Sequence, residues 1–207
     1  MSKDWTGNKK AIFTSLGASN HAQGKRESND YYATEPRAVE LLLEREKFCN
    51  NIWEPACGEG HISKVLLAHG YKVLSTDLVN RGYGSGGIDF LKAGGPSSVD
   101  VCFRGGVFDI ITNPPYKYAL DFCKKAFRLI RPKQKIAMFL RIQFLEGQER
   151  RQFFTVFPPA RIYVASKRLN CAKNGDFKTY SNNRAICYAW FIWEKGTFGE
   201  PVIRWIN

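Results

Sequence analysis

The order of short apolar runs and glycines between residues 51 and 77 constrains this chain more than any other feature. Asn51-Ile52-Trp53-Glu54 reads as a short buried strand and Gly58-Glu59-Gly60 as a tight turn. Ile62 to Ala68 has helical spacing and closes at Gly70, a residue type suited to the left-handed conformation that ends helices. Tyr71 to Thr76 is a second strand, with Asp77 at its end. Strand, glycine turn, helix, strand and acid in that order open a doubly wound α/β sheet. Ligands of such sheets bind beyond the carboxyl ends of the strands.

The remaining segments extend the same pattern. Thr34 is a good N-cap, and Pro36 suits the first turn of a helix over 35–47 that buries Ala38, Val39, Leu42 and Leu43. Val107 to Thr112 and Lys135 to Leu140 read as buried strands. A helix between them carries Leu120, Cys123, Phe127 and Ile130 on one face and stops at Pro132. Glu149 to Val156 is a short helix. Arg161 to Ser166 and Ile186 to Trp193 are strands rich in aromatic and β-branched residues, expected to pair antiparallel because no helix intervenes. The 207 residues suit one domain, here 31–207, preceded by a polar arm over 1–30.

Composition excludes several classes. No run approaches the roughly 18 apolar residues of a membrane helix, and Met1-Ser2-Lys3-Asp4-Trp5 lacks the apolar core of a signal peptide. The chain is therefore expected to be cytoplasmic, without a membrane partner, and a monomer or weak dimer. Six scattered cysteines without a C-x-x-C pair, beside three histidines, predict reduced thiols and no metal site.

The glycine turn is compatible with several nucleotide-like ligands. Asp77 is placed to accept ribose hydroxyls, but Ser63 stands where a nicotinamide site needs a third glycine. Glu54-Pro55-Ala56-Cys57-Gly58 carries its own acid, which better suits a ligand with a cationic amino-acid part. The sharper motif is Asn113-Pro114-Pro115-Tyr116, directly after a core strand. Asparagine before proline is held out of the helical region, and two prolines remove two N–H donors. The result is a stiff rim of acceptors, the Asn113 side-chain oxygen and the Pro114 carbonyl, next to an aromatic ring. An exocyclic amine is a poor nucleophile because its lone pair is delocalised. Acceptors that grip its hydrogens favour tetrahedral nitrogen and stabilise the charge that develops on attack. Tyr116 is a candidate to stack on a flat substrate taken out of a duplex.

Charge points to the partner. Residues 117–207 contain 18 lysines and arginines against 6 acids, whereas residues 29–116 contain 8 against 11. Between the last two predicted strands lie 19 residues, 167–185, with five basic residues, one acid and four asparagines. A connection of that length is commonly functional. A basic, aromatic half suggests a polyanion.

Taken together, Tyr32-Ala33-Thr34-Glu35-Pro36, Glu54 to Gly60, Asp77, Asp89-Phe90 and Asn113-Pro114-Pro115-Tyr116 resemble the class I S-adenosylmethionine-dependent methyltransferases. More narrowly they resemble the N6-adenine DNA methyltransferases, and the Phe139 to Phe157 stretch with Tyr188-Ala189-Trp190-Phe191-Ile192-Trp193 resembles the small methyltransferases often found in phages and prophages. The resemblance covers about residues 30–194. It implies a Rossmann-like α/β fold with a seven-stranded mixed sheet of order 3-2-1-4-5-7-6, strand 7 antiparallel, and helices on both faces. It implies S-adenosyl-L-methionine as cofactor, held by Glu54, Pro55, Ala56, Cys57, Gly58, Gly60, Asp77 and Leu78. Asp89 would take the adenine amino group and Phe90 the adenine face, with Tyr32, Thr34 and Asn113 at the methionine end. Asn113, Pro114, Pro115 and Tyr116 would hold the target amine of an adenine in DNA.

The chain departs from site-specific family members in having no large recognition segment, with 13 residues after Glu194. Lys167, Arg168, Lys173, Lys178 and Arg184 of the 167–185 loop, together with Arg150, are the candidate phosphate contacts. Asn170, Asn174, Asn182 and Asn183 are candidates to reach base edges. Three alternatives stand beside the DNA reading: an RNA adenine or guanine amino methyltransferase, a protein glutamine methyltransferase using the same tetrapeptide, and a non-catalytic nucleic-acid-binding module.

Overall fold

The computed structural model describes residues 31–99, 106–173, 175, 177 and 186–207. The expected arm over 1–30 and the candidate contacts Lys178 and Arg184 lie outside the described residues, as do Asn174, Asn182 and Asn183.

Seven strands form the main sheet: β2 (Asn51–Glu54), β3 (Lys72–Ser75), β4 (Asp109–Thr112), β5 (Lys135–Arg141), β6 (Arg161–Ala165), β8 (Tyr188–Glu194) and β9 (Val202–Ile206). Their order is β3-β2-β4-β5-β8-β6-β9. β2, β3, β4 and β5 run parallel, and β8 is antiparallel to both β5 and β6. A separate two-stranded ribbon pairs β1 (Tyr32–Thr34) with β7 (Cys171–Lys173), antiparallel.

The mixed α/β sheet is the expected one, with two adjustments at its edges. Where a third strand was expected after β3, the chain makes a single parallel bridge between Thr76 and Ser85. Glycines 82, 84 and 87 there adopt positive φ, which an extended strand does not sustain. At the opposite edge β9, drawn from the last residues of the chain, adds a strand parallel to β6. Its Ile203 and Trp205 face outward, so no alternation of buried residues announced it.

The sheet sorts its side chains by strand alternation. Trp53, Ile110, Ile136, Met138, Leu140, Phe191 and Trp193 lie on one face, under α3 (Ala119–Leu129) and α4 (Gln148–Val156). Ile52, Ile111, Ala137, Phe139, Trp190 and Ile192 lie on the other, under α1 (Pro36–Arg45) and α2 (His61–Ala68). The Trp190 indole N–H donates to the Ala38 carbonyl at 2.8 Å, which fixes α1 against the sheet.

One buried carboxylate ties the lower half of this scaffold together. Glu46, just past α1, is 4% exposed. It accepts hydrogen bonds from Lys135 of β5 at 2.7 Å, from the Tyr163 hydroxyl of β6 at 2.8 Å, and from Arg161. Arg161 also pairs with Glu194 of β8 at 2.9 Å. Burial alone would raise the Glu46 carboxyl, but the donated bonds from Arg161, Lys135 and Tyr163 outweigh it and hold the group below its ordinary value.

Glu46→Ala leaves two shielded cations without their shared partner, so denaturant unfolding should show a loss of about 3–5 kcal/mol. Because the folded carboxyl titrates below its unfolded value, the contribution is complete above the unfolded pKa and disappears as pH falls through the folded one. The variant should therefore lose less stability than the native protein on acidification.

Candidate active site

Because β2 lies between β3 and β4, their carboxyl ends carry Glu54, Asp77 and Asn113 side by side. The turn after β2 needs its glycines. Gly58 and Gly60 sit at φ +55° and +80°, in the left-handed region. A Cβ on Gly58 would lie 2.0 Å from Tyr31 Cε2, and one on Gly60 2.3 Å from Tyr83 Cε1. Two half-buried rings thus rest directly on the turn. The Glu59 N–H donates to the Tyr31 hydroxyl at 3.1 Å, and that hydroxyl lies 3.0 Å from His61 Nδ1.

Asp77 closes the turn from the neighbouring strand. Its carboxylate accepts the Gly58 N–H and the Val79 N–H, both at 2.8 Å, and pairs with Arg81 at 3.4 Å. Glu54 is 1% exposed and accepts the Ser63 hydroxyl. Burial pushes its carboxyl up to about 8, opposed by Ser63 and reinforced by the negative Asp77. The structure thus holds an enclosed acid that a cation would return to its charged form. Pro55 and Cys57 are buried beneath the turn, Ala56 is half-buried, and burial raises the Cys57 thiol to about 12. Leu78 is 57% exposed beside Asp77.

The rings and acids around this turn suit a ligand with a nucleoside and a cationic amino-acid part, such as S-adenosylmethionine. Left-handed glycines allow close approach, Asp77 presents a carboxylate, and among the described residues no cation pairs with Glu54. The space over both glycines is filled by Tyr31 and Tyr83, so a ligand using the turn displaces them. Sequence reasoning missed both rings; an aromatic between Gly82 and Gly84, and a second tyrosine before Tyr32, were the available signals.

At the end of β4, Asn113 is held by the ribbon. Its Nδ2 donates to the Tyr32 carbonyl at 3.1 Å and to Thr34 Oγ1 at 3.0 Å, and lies 3.6 Å from Cys171 Sγ. With both donors engaged, its Oδ1 is a buried acceptor without a partner among the described residues. Tyr32 and Thr34, expected beside the cofactor, therefore meet the tetrapeptide directly. Cys171, from a segment read as loop, joins them as part of β7. Burial raises its thiol to about 11, so it acts as a neutral neighbour.

Pro114 is buried and Pro115 exposed. The Tyr116 hydroxyl donates to Tyr188 at 3.0 Å, and its ring lies 5.4 Å from that of Tyr32. Burial and the surrounding Cys171 and Tyr188 hold the Tyr116 phenol well above its ordinary value, so it stays neutral. The ring expected to stack on substrate is covered by Arg141, whose guanidinium lies 4.3 Å from the centroid.

Other expected site residues fall elsewhere. Phe90 is 2% exposed and packs between Trp53 at 5.1 Å and Phe122 at 4.8 Å, inside the core. It thus supports the site from below and presents no open face, because an apolar ring gains more from burial among Trp53 and Phe122 than from solvent. Asp89 caps the turn by accepting the Leu91 N–H at 3.0 Å and pairs with Lys92 at 3.4 Å. Lys167 and Arg168 are exposed, and the Lys173 backbone pairs with Tyr32 in the ribbon. Arg150 is turned back onto the segment before its helix, donating to the Glu146 carbonyl and lying 5.4 Å over Phe144. Asn170 is clamped through its backbone, its N–H donating to Glu35 at 2.9 Å. A depression of about 220 Å³ bordered by Pro158, Phe198 and Arg204 shares no residue with this cluster. No described helix is long and apolar enough to cross a membrane.

No protein-family model and no curated protein sequence matches the chain. Solved structures do. A chain described as the modification subunit of a type I restriction enzyme from Vibrio vulnificus superposes with a TM-score of 0.57 at 11% identity, over 87% of this chain and 48% of that one. This chain thus spans about half the length of that subunit. A protein described by prediction as an O-methyltransferase from Agrobacterium tumefaciens gives 0.57 at 13% identity, over 83% and 85%. One assigned as an RNA methyltransferase from Pyrococcus horikoshii gives 0.55 at 15%, over 91% and 98%. At such identities the likeness establishes the fold, which is the Rossmann-like α/β fold of class I methyltransferases.

The folded Glu54 holds its proton to higher pH than the unfolded chain does, so this group makes stability fall as pH rises from about 4.5 through about 8. At about 1.4 kcal/mol per unit, the effect reaches a few kcal/mol. Thermal melting of the ligand-free protein should show that decline, and Glu54→Gln should flatten it.

Proposed function

We propose that this protein transfers a methyl group from S-adenosylmethionine to the exocyclic N6 amine of adenine in DNA. The observation that carries the reading is Asn113 Oδ1, a buried acceptor without a partner among the described residues, oriented by two engaged donors on the same amide. Buried acceptors are nearly always paired, so an unpaired one at the carboxyl end of a core strand calls for a donor from outside. An amine hydrogen supplies it.

Glu54, Gly58, Gly60 and Asp77, with Leu78 beside them, are the residues that would hold the cofactor, Tyr31 and Tyr83 moving aside. When bound, S-adenosylmethionine supplies an electrophilic methyl on a sulfonium. Asn113 Oδ1 accepts one amine hydrogen and the Pro114 carbonyl the second, which localises the nitrogen lone pair. The two oxygens stabilise the positive charge that develops there. Tyr116, neutral and hydrogen-bonded to Tyr188, acts as a stacking wall and not as a base. The surplus amine proton leaves to water.

The basic 117–207 half favours nucleic acid over a protein substrate. Exposed Lys167 and Arg168, Lys173, and Lys178 and Arg184 beyond the described residues are the proposed phosphate contacts. The RNA reading stands second, favoured by the near full-length likeness to the Pyrococcus horikoshii protein.

Incubation with S-adenosylmethionine and, separately, duplex DNA, single-stranded DNA and total RNA, followed by nucleoside mass spectrometry, tests this. N6-methyldeoxyadenosine should accumulate from DNA, and Asn113→Ala should lower its rate by about 100-fold or more. Methylated ribonucleosides alone would move the substrate to RNA. No methylated nucleoside from a cofactor-binding protein would sink the nucleic-acid reading.

A further inference from the structure

Arg141 ends β5 and stands in register with Tyr188. Its side chain is half-buried, its guanidinium rests on the Tyr116 ring, and its Nε is buried without a hydrogen-bond partner. Among the described residues no carboxylate pairs with it. The contrast with other shielded cations is direct. Lys135 and Arg161, 17% and 21% exposed, share Glu46, and Arg81, 19% exposed, pairs with Asp77. Among the described residues those three cations have counter-charges, whereas Arg141, beside the candidate active site, has the phenols of Tyr188 and Tyr116 as its side-chain partners and no carboxylate. Shielded cations are costly unless paired, so this one is held for an anion that arrives with the substrate.

Its posture adds a second argument. A guanidinium is planar and weakly hydrated, and it stacks on aromatic faces as an ammonium does not. It covers the ring that a flat base would use, and so fills that slot with a group of similar shape. A base offers the half-buried Tyr116 ring the same flat stacking contact that the guanidinium makes, so base stacking can replace it.

We propose that Arg141 is a positioning residue for the phosphate of the target nucleotide, resting on Tyr116 in the free protein and turning onto the phosphate when the base takes its place. This rests on the reading of Asn113 as a site for an adenine amine, and deepens it by naming the substrate class. The site takes a phosphate-bearing nucleotide, in preference to a free nucleoside or a side-chain amide. The planar fork of arginine suits two phosphate oxygens at once.

The test uses the full chain with its cofactor site saturated by S-adenosylhomocysteine, so that adenosine-like probes cannot bind there. Affinities for deoxyadenosine, its 5′-monophosphate and its 3′-monophosphate are measured by NMR titration. In the native protein at least one nucleotide should bind roughly tenfold or more tightly than the nucleoside. Arg141→Met should abolish that difference while retaining nucleoside binding, and Arg141→Lys should keep part of it. Equal binding of nucleoside and nucleotides by the native protein would overturn the proposal, whether or not the variants fold. So would a difference that survives in Arg141→Met. Binding of none of the three by the native protein would instead remove the adenine reading of the Asn113 site, and the proposal with it.

Discussion

The Asn113 amide ties together parts of the chain that lie far apart in sequence. Its nitrogen reaches Tyr32 and Thr34, some 80 residues earlier, and touches Cys171, 58 residues later. Those partners belong to a two-stranded ribbon, so this side chain, with the Tyr32–Tyr116 ring contact, fastens the ribbon to the end of β4. The fastening also decides the chemistry of the amide. Spending both donors inward leaves the amide oxygen with acceptor capacity to spare, and the two prolines that follow bring no N–H to it.

The neighbouring half of the site depends on strand order. Parallel pairing of β3 and β4 on either side of β2 brings a glycine turn, two acids and the Asn113 amide to one end of the sheet. Asp77 then binds the Gly58 N–H, so the turn is held from the adjacent strand as well as by its own dihedrals. Charge there is deliberately uneven. Among the described residues no cation pairs with buried Glu54 and no carboxylate with half-buried Arg141, and the two lie on either side of Asn113. An enclosed acid that a cation would ionise on one side and a guanidinium on the other fit a cationic cofactor and an anionic substrate.

Much of this was legible in the residues, and the failures have physical causes. The strand, turn and helix of 51–77 declared themselves because burial, glycine placement and helical spacing agreed. Asn113 to Tyr116 could be located because proline restricts the backbone whatever surrounds it. The β1–β7 ribbon could not be read, since two three-residue strands carry too little periodicity and their pairing spans 139 residues. β9 hid because Ile203 and Trp205 point outward on an edge. Phe90 was read for its neighbour Asp89, whereas its surroundings, Trp53 and Phe122, exist only once β2 and α3 have packed. Arg141 passed unnoticed just beyond the expected Lys135 to Leu140 strand, although a charge directly after a core strand was a usable signal.

The most direct measurement follows one bond. Unmethylated DNA uniformly labelled with nitrogen-15 is incubated with the protein and S-adenosylmethionine carrying carbon-13 in its methyl group, then digested and examined by NMR. If Asn113 Oδ1 grips an exocyclic amine for direct attack, the transferred carbon couples through one bond to the N6 nitrogen of adenine. Carbon-13 appearing on a ring nitrogen, on a carbon of the base, or on no nucleoside at all would contradict the account.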